Sequence, residues 1–599
     1  MQEMKIGPST ATEHLLRPQT GQRMKLKEKF VAIYDMFLRG QDPIQGKDSE
    51  MFWDELFLIK VNTKHLSSSL RQIGEDQLLA IKDEINSIFL HAVNAVTDPL
   101  PQRRLHAMQT LTILLSEIFR KKFNNWSFDV IHLLTGLSQA DYVFGVLLQG
   151  LDSLLGNEAP LELRTAALRL AITIASGNDN VNKNSLNEYF MQKDLFTSLA
   201  KFLVSVDDDD LAFEVMTLLG LLANYNKYEI QNPYLIQLAD LNDDAIFHKM
   251  SMVLAHKFDD MQRDYTEVMD DDDPSTVSRV ASALSYVSGM LWNPKGQDTT
   301  STGATFAFLP NGKATVLLVF YDLIHNNKRF LRVFLNYSTP ELSMATPQTM
   351  GDKTEDPKNS LDGKDTALGS FLSFVSYLSQ HNRTPRTAPY TQLCLIIVQI
   401  IVEDPSSYQH LCIIPQSQDS TPTTRALRAN PMASVRLCRQ RQPVLPKAKQ
   451  ARPMAAVVLD VVLGFLKHNM KKKLQVDCFR IAVAIIFALA SRFRSLRVRL
   501  PYHWAEMWNT IQGLVKFLHA NATGLQYNIE ARDLIAEAID LVNYFATYGD
   551  LLMPDPGSLY ALYYEIVRTG IDPFIELAKE WIDFTCQTAL RRQDHPNRP

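Results

Sequence analysis

From Met24 onward, apolar residues recur at spacings of three and four, which places them on one face of an α-helix. Phe30, Ile33, Tyr34, Phe37 and Leu38 set the pattern, and FWDELFLIK at 52–60 repeats it after a short break. Further helices are predicted at 78–96, ending before Asp98-Pro99, at 104–119, opened by Pro101, and at 127–137, ending near Gly136. The most regular stretch predicts helices at 161–175, 185–204, 211–225 and 233–257, with linkers of a few residues and almost no strand-like alternation. Successive hairpins recur at roughly 40 to 50 residues, the range of armadillo and HEAT repeats. No repeated sequence motif accompanies that spacing.

Beyond Asp273 the pattern predicts helices at 277–291, 313–335, 366–379 and 390–402, then at 454–469, 474–491, 502–519, 529–547, 558–569 and 573–591. Two stretches rich in Pro and polar residues, 336–364 and 413–453, are expected to be flexible loops. The expected organisation is a disordered N-terminus at 1–23, N-terminal helical repeats at 24–335, a hairpin at 365–412 between the loops, C-terminal repeats at 454–592 and a tail at 593–599. The fold class is all-α: one elongated armadillo/HEAT-like α-solenoid of about twenty helices, in which each repeat is stabilised by its neighbours.

Composition narrows the setting. The run IAVAIIFALA at 481–490 is flanked by Arg480 and Arg492, and Asp460 interrupts 455–466, so both fit core helices; a bilayer span needs roughly twenty apolar residues. The N-terminus has no apolar signal segment, and Cys394, Cys412, Cys438, Cys478 and Cys586 form no CxxC pair. These features predict reduced thiols and a peripheral protein on the cytosolic side.

No dinucleotide, Walker, HExxH, GxSxG or kinase motif is present, so no catalytic residue, metal ligand or cofactor is expected. His91, His106 and His132 are isolated on helical segments, and Asp207–Asp210 and Asp270–Asp273 lack EF-hand spacing. Those acidic runs suit helix N-termini instead.

Charge is strongly segregated. Residues 205–275 hold 17 acids against 4 bases, and residues 425–499 hold 17 bases against 2 acids. Within the basic block Arg436, Arg439, Arg441, Lys447, Lys449, Lys471, Lys472, Lys473, Arg497 and Arg499 are candidate contacts for an anionic membrane or an acidic partner. A solvated linker with cations compensating a helix end accounts for the same residues. Nucleic acid fits less well, because no readout module accompanies the block. Trp504 and Trp508, four apart, are either a hairpin seam shared with Ile511 and Val515 or an exposed partner contact.

Several stretches carry a likeness: FWDELFLIKVN (52–62), LLANYNKYEIQNPYLIQLADLNDDA (221–245), CLIIVQIIVEDP (394–405), VRLPYHWAEMWNTIQGLVKFL (498–518), YFATYGDLLMPDP (544–556) with its Tyr548-Gly549-Asp550 turn, and LYYEIVR (562–568). In order and spacing they resemble the armadillo-like helical domain-containing protein 3 family over roughly residues 24–570, whereas 571–599 depart from its pattern. The resemblance implies a non-enzymatic scaffold serving Golgi maintenance and secretion. It implies binding of phosphatidylinositol 4-kinase beta and support for recruiting the Golgi Arf guanine-nucleotide exchange factor. A soluble protein-interaction adaptor with no membrane or phosphoinositide role is the alternative.

Overall fold

The structure is a computed structural model that describes residues 28–44, 49–156, 159–271, 306, 308–338, 366–412, 435–446, 452–471, 474–521, 528–569 and 575–576. Among these residues there are 24 α-helices and no strand beyond an isolated bridge between Ser338 and Thr366. The chain forms two compact units. The first comprises residues 1–154, 158–179 and 183–189, and the second comprises 155–157, 180–182 and 190–599.

The first unit contains α1 (Lys29–Phe37), α2 (Ser49–Leu56), α3 (Thr63–Gln72), α4 (Glu75–Ala80), α5 (Lys82–Ala95), α6 (Pro101–Phe119), α7 (Trp126–Leu134), most of α8 (Ala140–Gly156), α9 (Leu161–Ala175) and the start of α10 (Asn187–Gln192). α3 packs on α6 and α6 on α9, so each layer lies against the helix three further along. The expected single helix over 78–96 is broken at Ile81 into α4 and α5. α8 falls outside the expected helices because Gly145 and Gly150 interrupt its stripe. Gly150 has a packing reason: a Cβ there would come 3.0 Å from Val96 Cγ1.

The second unit begins with α11 (Phe196–Ser205), α12 (Asp209–Asn224), α13 (Pro233–Asp240), α14 (Asp244–Val268), α15 (Val316–Asn326), α16 (Lys328–Asn336), α17 (Ala367–Gln380) and α18 (Thr387–Glu403). It continues through α19 (Tyr408–Leu411), α20 (Met454–Asn469), α21 (Val476–Leu496), α22 (Trp504–Ala520), α23 (Ile529–Leu552) and α24 (Pro556–Thr569). α12 packs on α15, α14 on α17, α15 on α18, α17 on α20 and α18 on α21, the layered order of a helical solenoid.

Asparagines build many of the corners. Asn232 Oδ1 accepts from the backbone N–H groups of Tyr234 and Leu235, capping α13, while its Nδ2 donates to Leu222 O and Tyr225 O at the end of α12. Asn327 does the same between α13 and α16, and Asn184 donates to the last carbonyls of α9 while accepting from Leu186 N. One amide thus satisfies groups that both helix ends would otherwise leave unpaired.

These corners split helices that the apolar spacing joins. The expected helix over 313–335 breaks at Asn327, the one over 233–257 breaks before the Asp243 cap of α14, and the one over 185–204 breaks at 193–195. The Tyr548-Gly549-Asp550 stretch is helical within α23 rather than a turn. The expected N-terminus at 1–23, the helix at 277–291 and the tail at 593–599 lie outside the described residues, as do nearly all of the loop at 336–364 and of the helix at 573–591.

Candidate functional site

The second expected loop holds a packed segment. Residues 435–446 carry no helix and, through Arg436, Cys438 and Arg441, lie against α17, whose Ser373, Ser376 and Gln380 form a polar stripe at helical spacing. Ser373 Oγ donates to Arg436 O at 2.6 Å, Cys438 N–H donates to Ser376 Oγ at 2.9 Å, and Gln380 Nε2 donates to Cys438 O at 2.7 Å. This cover leaves α17 buried along its whole length. The expectation of flexibility over all of 413–453 is therefore corrected for 435–446, where side-chain donors replace a ladder.

Two of the predicted surface cations, Arg436 and Arg439, have partners within the chain, Arg436 through its side chain and Arg439 first through its backbone. Arg436 Nε sits 2.9 Å from Asp271 Oδ2, the Arg439 N–H donates to Asp271 Oδ1 at 3.2 Å, and Tyr377 OH donates to Asp271 Oδ2 at 2.5 Å. Gln440 Nε2 donates to Tyr265 O and to Met269 O, at the end of α14. The Arg439 guanidinium turns back to Leu445 O at 2.9 Å. Part of the basic block thus has its acidic partner in the same chain. Lys447, Lys449, Lys472 and Lys473 lie outside the described residues.

Arg441 and Lys471 converge on the C-terminal end of α17. Arg441 donates to Gln380 O, Lys471 Nζ donates to Asn382 O at 3.2 Å, and Asn469 Nδ2 donates to Ser379 O at 2.8 Å. Arg383 follows directly and is exposed. Burial, then Arg383, lowers the Arg441 pKa; burial, then Arg441 and Arg383, lowers that of Lys471. Among the described residues no carboxylate pairs with any of these three cations. Burial also pushes His381 and His468 down to about 4, with Arg441 adding to the effect on both, so neither imidazole is charged near neutral pH. Arg383 had no signal in the charge count, because it lies outside the basic block.

Arg497 and Arg499 are exposed at the end of α21. Arg497 takes a left-handed conformation with φ of 52°, and Val498 N–H returns to Phe493 O at 2.8 Å, which closes the helix. Their neighbours are otherwise engaged: Arg494 lies 3.5 Å from the Tyr548 ring centre and Arg492 lies 4.4 Å from that of Tyr408.

Trp504 and Trp508 are each 2% exposed, with ring centres 5.6 Å apart. Phe545 meets both edge-on, and the indole N–H groups donate to Leu500 O and Ser558 O. The reading of an exposed partner contact is corrected by this burial: the pair is the seam among α22, α23 and α24. Asp460, the carboxylate inside the apolar α20, is paired with Arg452, hydrogen-bonded by Tyr502 OH at 2.7 Å, and 2.9 Å from His503 Nε2.

The other candidates have local partners. His91 stacks on Trp53, His106 Nδ1 lies 2.8 Å from Phe57 O, and His132 stacks on Phe128. In the first acidic run, Asp208 caps α12, Asp209 pairs with His256 and Asp210 with Lys257. Among the described residues no group of three or more His, Cys, Asp or Glu could hold a metal ion, and no helix is long and apolar enough to cross a membrane.

The unusual stretch NYNKYEIQNPYL ties a polar knot through Asn224 and Lys227 onto the buried Asp322, while residues 228–231 are exposed. Lys227 Nζ lies 2.9 Å from Asp322 Oδ1 and 2.8 Å from Asn224 Oδ1, and Asn224 Nδ2 donates to Asp322 Oδ2 at 2.7 Å. Burial raises the Asp322 pKa, against the opposing pull of Lys227.

A family model for the C-terminal part of armadillo-like helical domain-containing protein 3 matches residues 452–595, from the Asp460 partner Arg452 onward. The expectation that 571–599 depart from the family pattern is thereby corrected as far as residue 595. A Schizosaccharomyces pombe protein named as a UPF0588 membrane protein is 22% identical over 527 residues, 87% of this chain and 79% of that one. The Homo sapiens armadillo-like helical domain-containing protein 3 is 30% identical over 574 residues, 92% of this chain and 80% of that one. The Danio rerio protein of the same name is 31% identical over 575 residues with the same coverage, and on that extent of likeness the chain belongs to the armadillo-like helical domain-containing protein 3 family.

Proposed function

We propose that this chain is a non-enzymatic helical scaffold on the cytosolic face of the Golgi, supporting Golgi maintenance and secretion by holding protein partners. The observation that carries this reading is the 31% identity over 92% of the chain to a family member. By that likeness the partners are phosphatidylinositol 4-kinase beta and the Golgi Arf guanine-nucleotide exchange factor. The name of the S. pombe relative supports a membrane-facing role. Attachment would be peripheral, through Arg441, Lys471, Arg497 and Arg499 together with Lys447, Lys449, Lys472 and Lys473. Affinity purification from crosslinked cells tests the partners: recovery of the kinase or the exchange factor supports the assignment, and recovery of neither sinks it.

A second reading, a soluble adaptor, is favoured by the ion pair of Arg436 with Asp271, which gives one cation of the basic block an acidic partner within the chain. Cell fractionation separates the two. A membrane pool released by high salt is expected for the scaffold; a wholly soluble chain, with Golgi phosphoinositide unchanged in its absence, belongs to the adaptor.

A further inference from the structure

We propose that Arg383, Arg441 and Lys471, at the C-terminal end of α17, form a site for the doubly charged phosphate of a phosphomonoester, carried by a lipid headgroup or by a soluble ligand. The inference rests on the reading of a basic membrane contact and narrows it from a diffuse block to one place.

Hydrogen bonding fixes the cluster. Arg441 and Lys471 come from separate segments, the stretch at 435–446 and the end of α20, yet they donate to carbonyls only two positions apart, Gln380 O and Asn382 O. Arg383 is the next residue in the chain. A helix C-terminus carries roughly half a negative charge, so it offsets only a fraction of three cations. Helix capping therefore accounts for one cation, not three.

Donors remain as well as charge. A guanidinium has five N–H donors and an ammonium three, and each of the two side chains spends one on its carbonyl. Among the described residues no hydrogen bond or ion pair engages the Arg383 side chain, which stands exposed. Burial lowers the pKa values of Arg441 and Lys471 first, and the neighbouring cations lower them further. A phosphomonoester brings about −1.5 to −2 charges and three acceptor oxygens, which matches what the cluster lacks. His381 and His468, both lowered chiefly by burial, add no charge beside the cluster.

The test uses the full chain and its Arg383→Gln and Lys471→Gln variants. Binding is measured to phosphatidylcholine vesicles carrying either phosphatidic acid, a monoester, or phosphatidylglycerol, a diester, at matched charge. Melting is followed with and without inorganic phosphate. Preference for phosphatidic acid, weakened roughly fivefold by each substitution, supports a lipid source. Stabilisation by phosphate that Arg383→Gln abolishes, without any vesicle binding, supports a soluble phosphoester and removes the membrane reading instead. Equal binding to both vesicles, unchanged in the variants and with no phosphate effect on melting, overturns the site while leaving the membrane reading in place. Arg383→Gln alone should melt like the parent chain without phosphate, which keeps misfolding apart from lost binding.

Discussion

Arg436 Nε and Asp271 Oδ2 lie 2.9 Å apart although 165 positions separate them in the chain. The pair joins the basic and acidic segments, but a half-exposed ion pair contributes at most about 1 kcal/mol. Docking of 435–446 therefore depends on the neutral hydrogen bonds to Ser373, Ser376 and Gln380 and on the one from Gln440 to Tyr265 O, worth about 1 kcal/mol each.

Asp271 and Arg436 are accordingly unequal. Asp271 is 5% exposed and also accepts from Tyr377 OH and the Arg439 N–H. Asp271→Ala leaves those donors unpaired and should cost about 2 to 4 kcal/mol, whereas Arg436→Gln should cost about 1 kcal/mol or less. Amide hydrogen exchange across 435–446 reads both: Asp271→Ala should lose protection there and Arg436→Gln should keep most of it. Equal loss in the two variants would make the ion pair the main anchor.

Lys227 and Asp322 form the most enclosed ion pair of the polar knot, with side chains 12% and 1% exposed. Lys227→Met strands a buried carboxylate and should destabilise by about 3 to 5 kcal/mol. Adding Asp322→Leu removes the stranded charge, so the double variant should melt closer to the parent than the single one does. A double variant that melts lower than Lys227→Met would refute this account.

The apolar stripes foretold helical layers well, since α9, α12 and α20–α24 lie near the expected ranges. They could not foretell the break at Asn327, because the apolar spacing continues on both sides of it and only its side-chain bonds separate the two helices. Asn184, Asn232 and Asn327 are also the recurring sign that no sequence repeat supplied. On α17 the stripe of Ser373, Ser376 and Gln380 reads as a solvent face, yet a segment some sixty positions downstream covers it. The candidate site was half legible for the same reason. Composition marked Arg441 and Lys471, but only long-range packing brings them to Arg383 and spends Arg436 on Asp271.

Gly549 explains one of the family stretches as close helix packing. A Cβ at this position of α23 would come 2.9 Å from Leu559 Cδ1 and 3.2 Å from Met553 Cε, both ends of flexible side chains. Gly549→Ala gains about 1 kcal/mol of helix propensity, which roughly offsets the repacking of those ends. Gly549→Val adds branched bulk against α24 and should lose about 1 to 3 kcal/mol. Melting of the two variants should therefore diverge, with alanine near the parent; an equal loss in both would place the strain in the backbone.

His381 makes stability depend on pH. Burial lowers its folded pKa from 6.5 to about 4, so the unfolded chain binds the proton more readily between those values. The contribution is present above pH 6.5, falls away as pH drops, and is gone below about 4. Over that window the loss is on the order of 3 kcal/mol. The imidazole is held by Gln440 Oε1 at 2.7 Å from Nε2 and by the Phe306 ring at 3.9 Å. His381→Asn removes the titrating group, so its melting temperature should fall less steeply between pH 6.5 and 4 than that of the parent, even where it starts lower. The comparison separates His381 from carboxylates that titrate in the same range, because they are common to both proteins. Parallel curves for parent and variant would mean that His381 takes up its proton in the folded state as readily as in the unfolded chain.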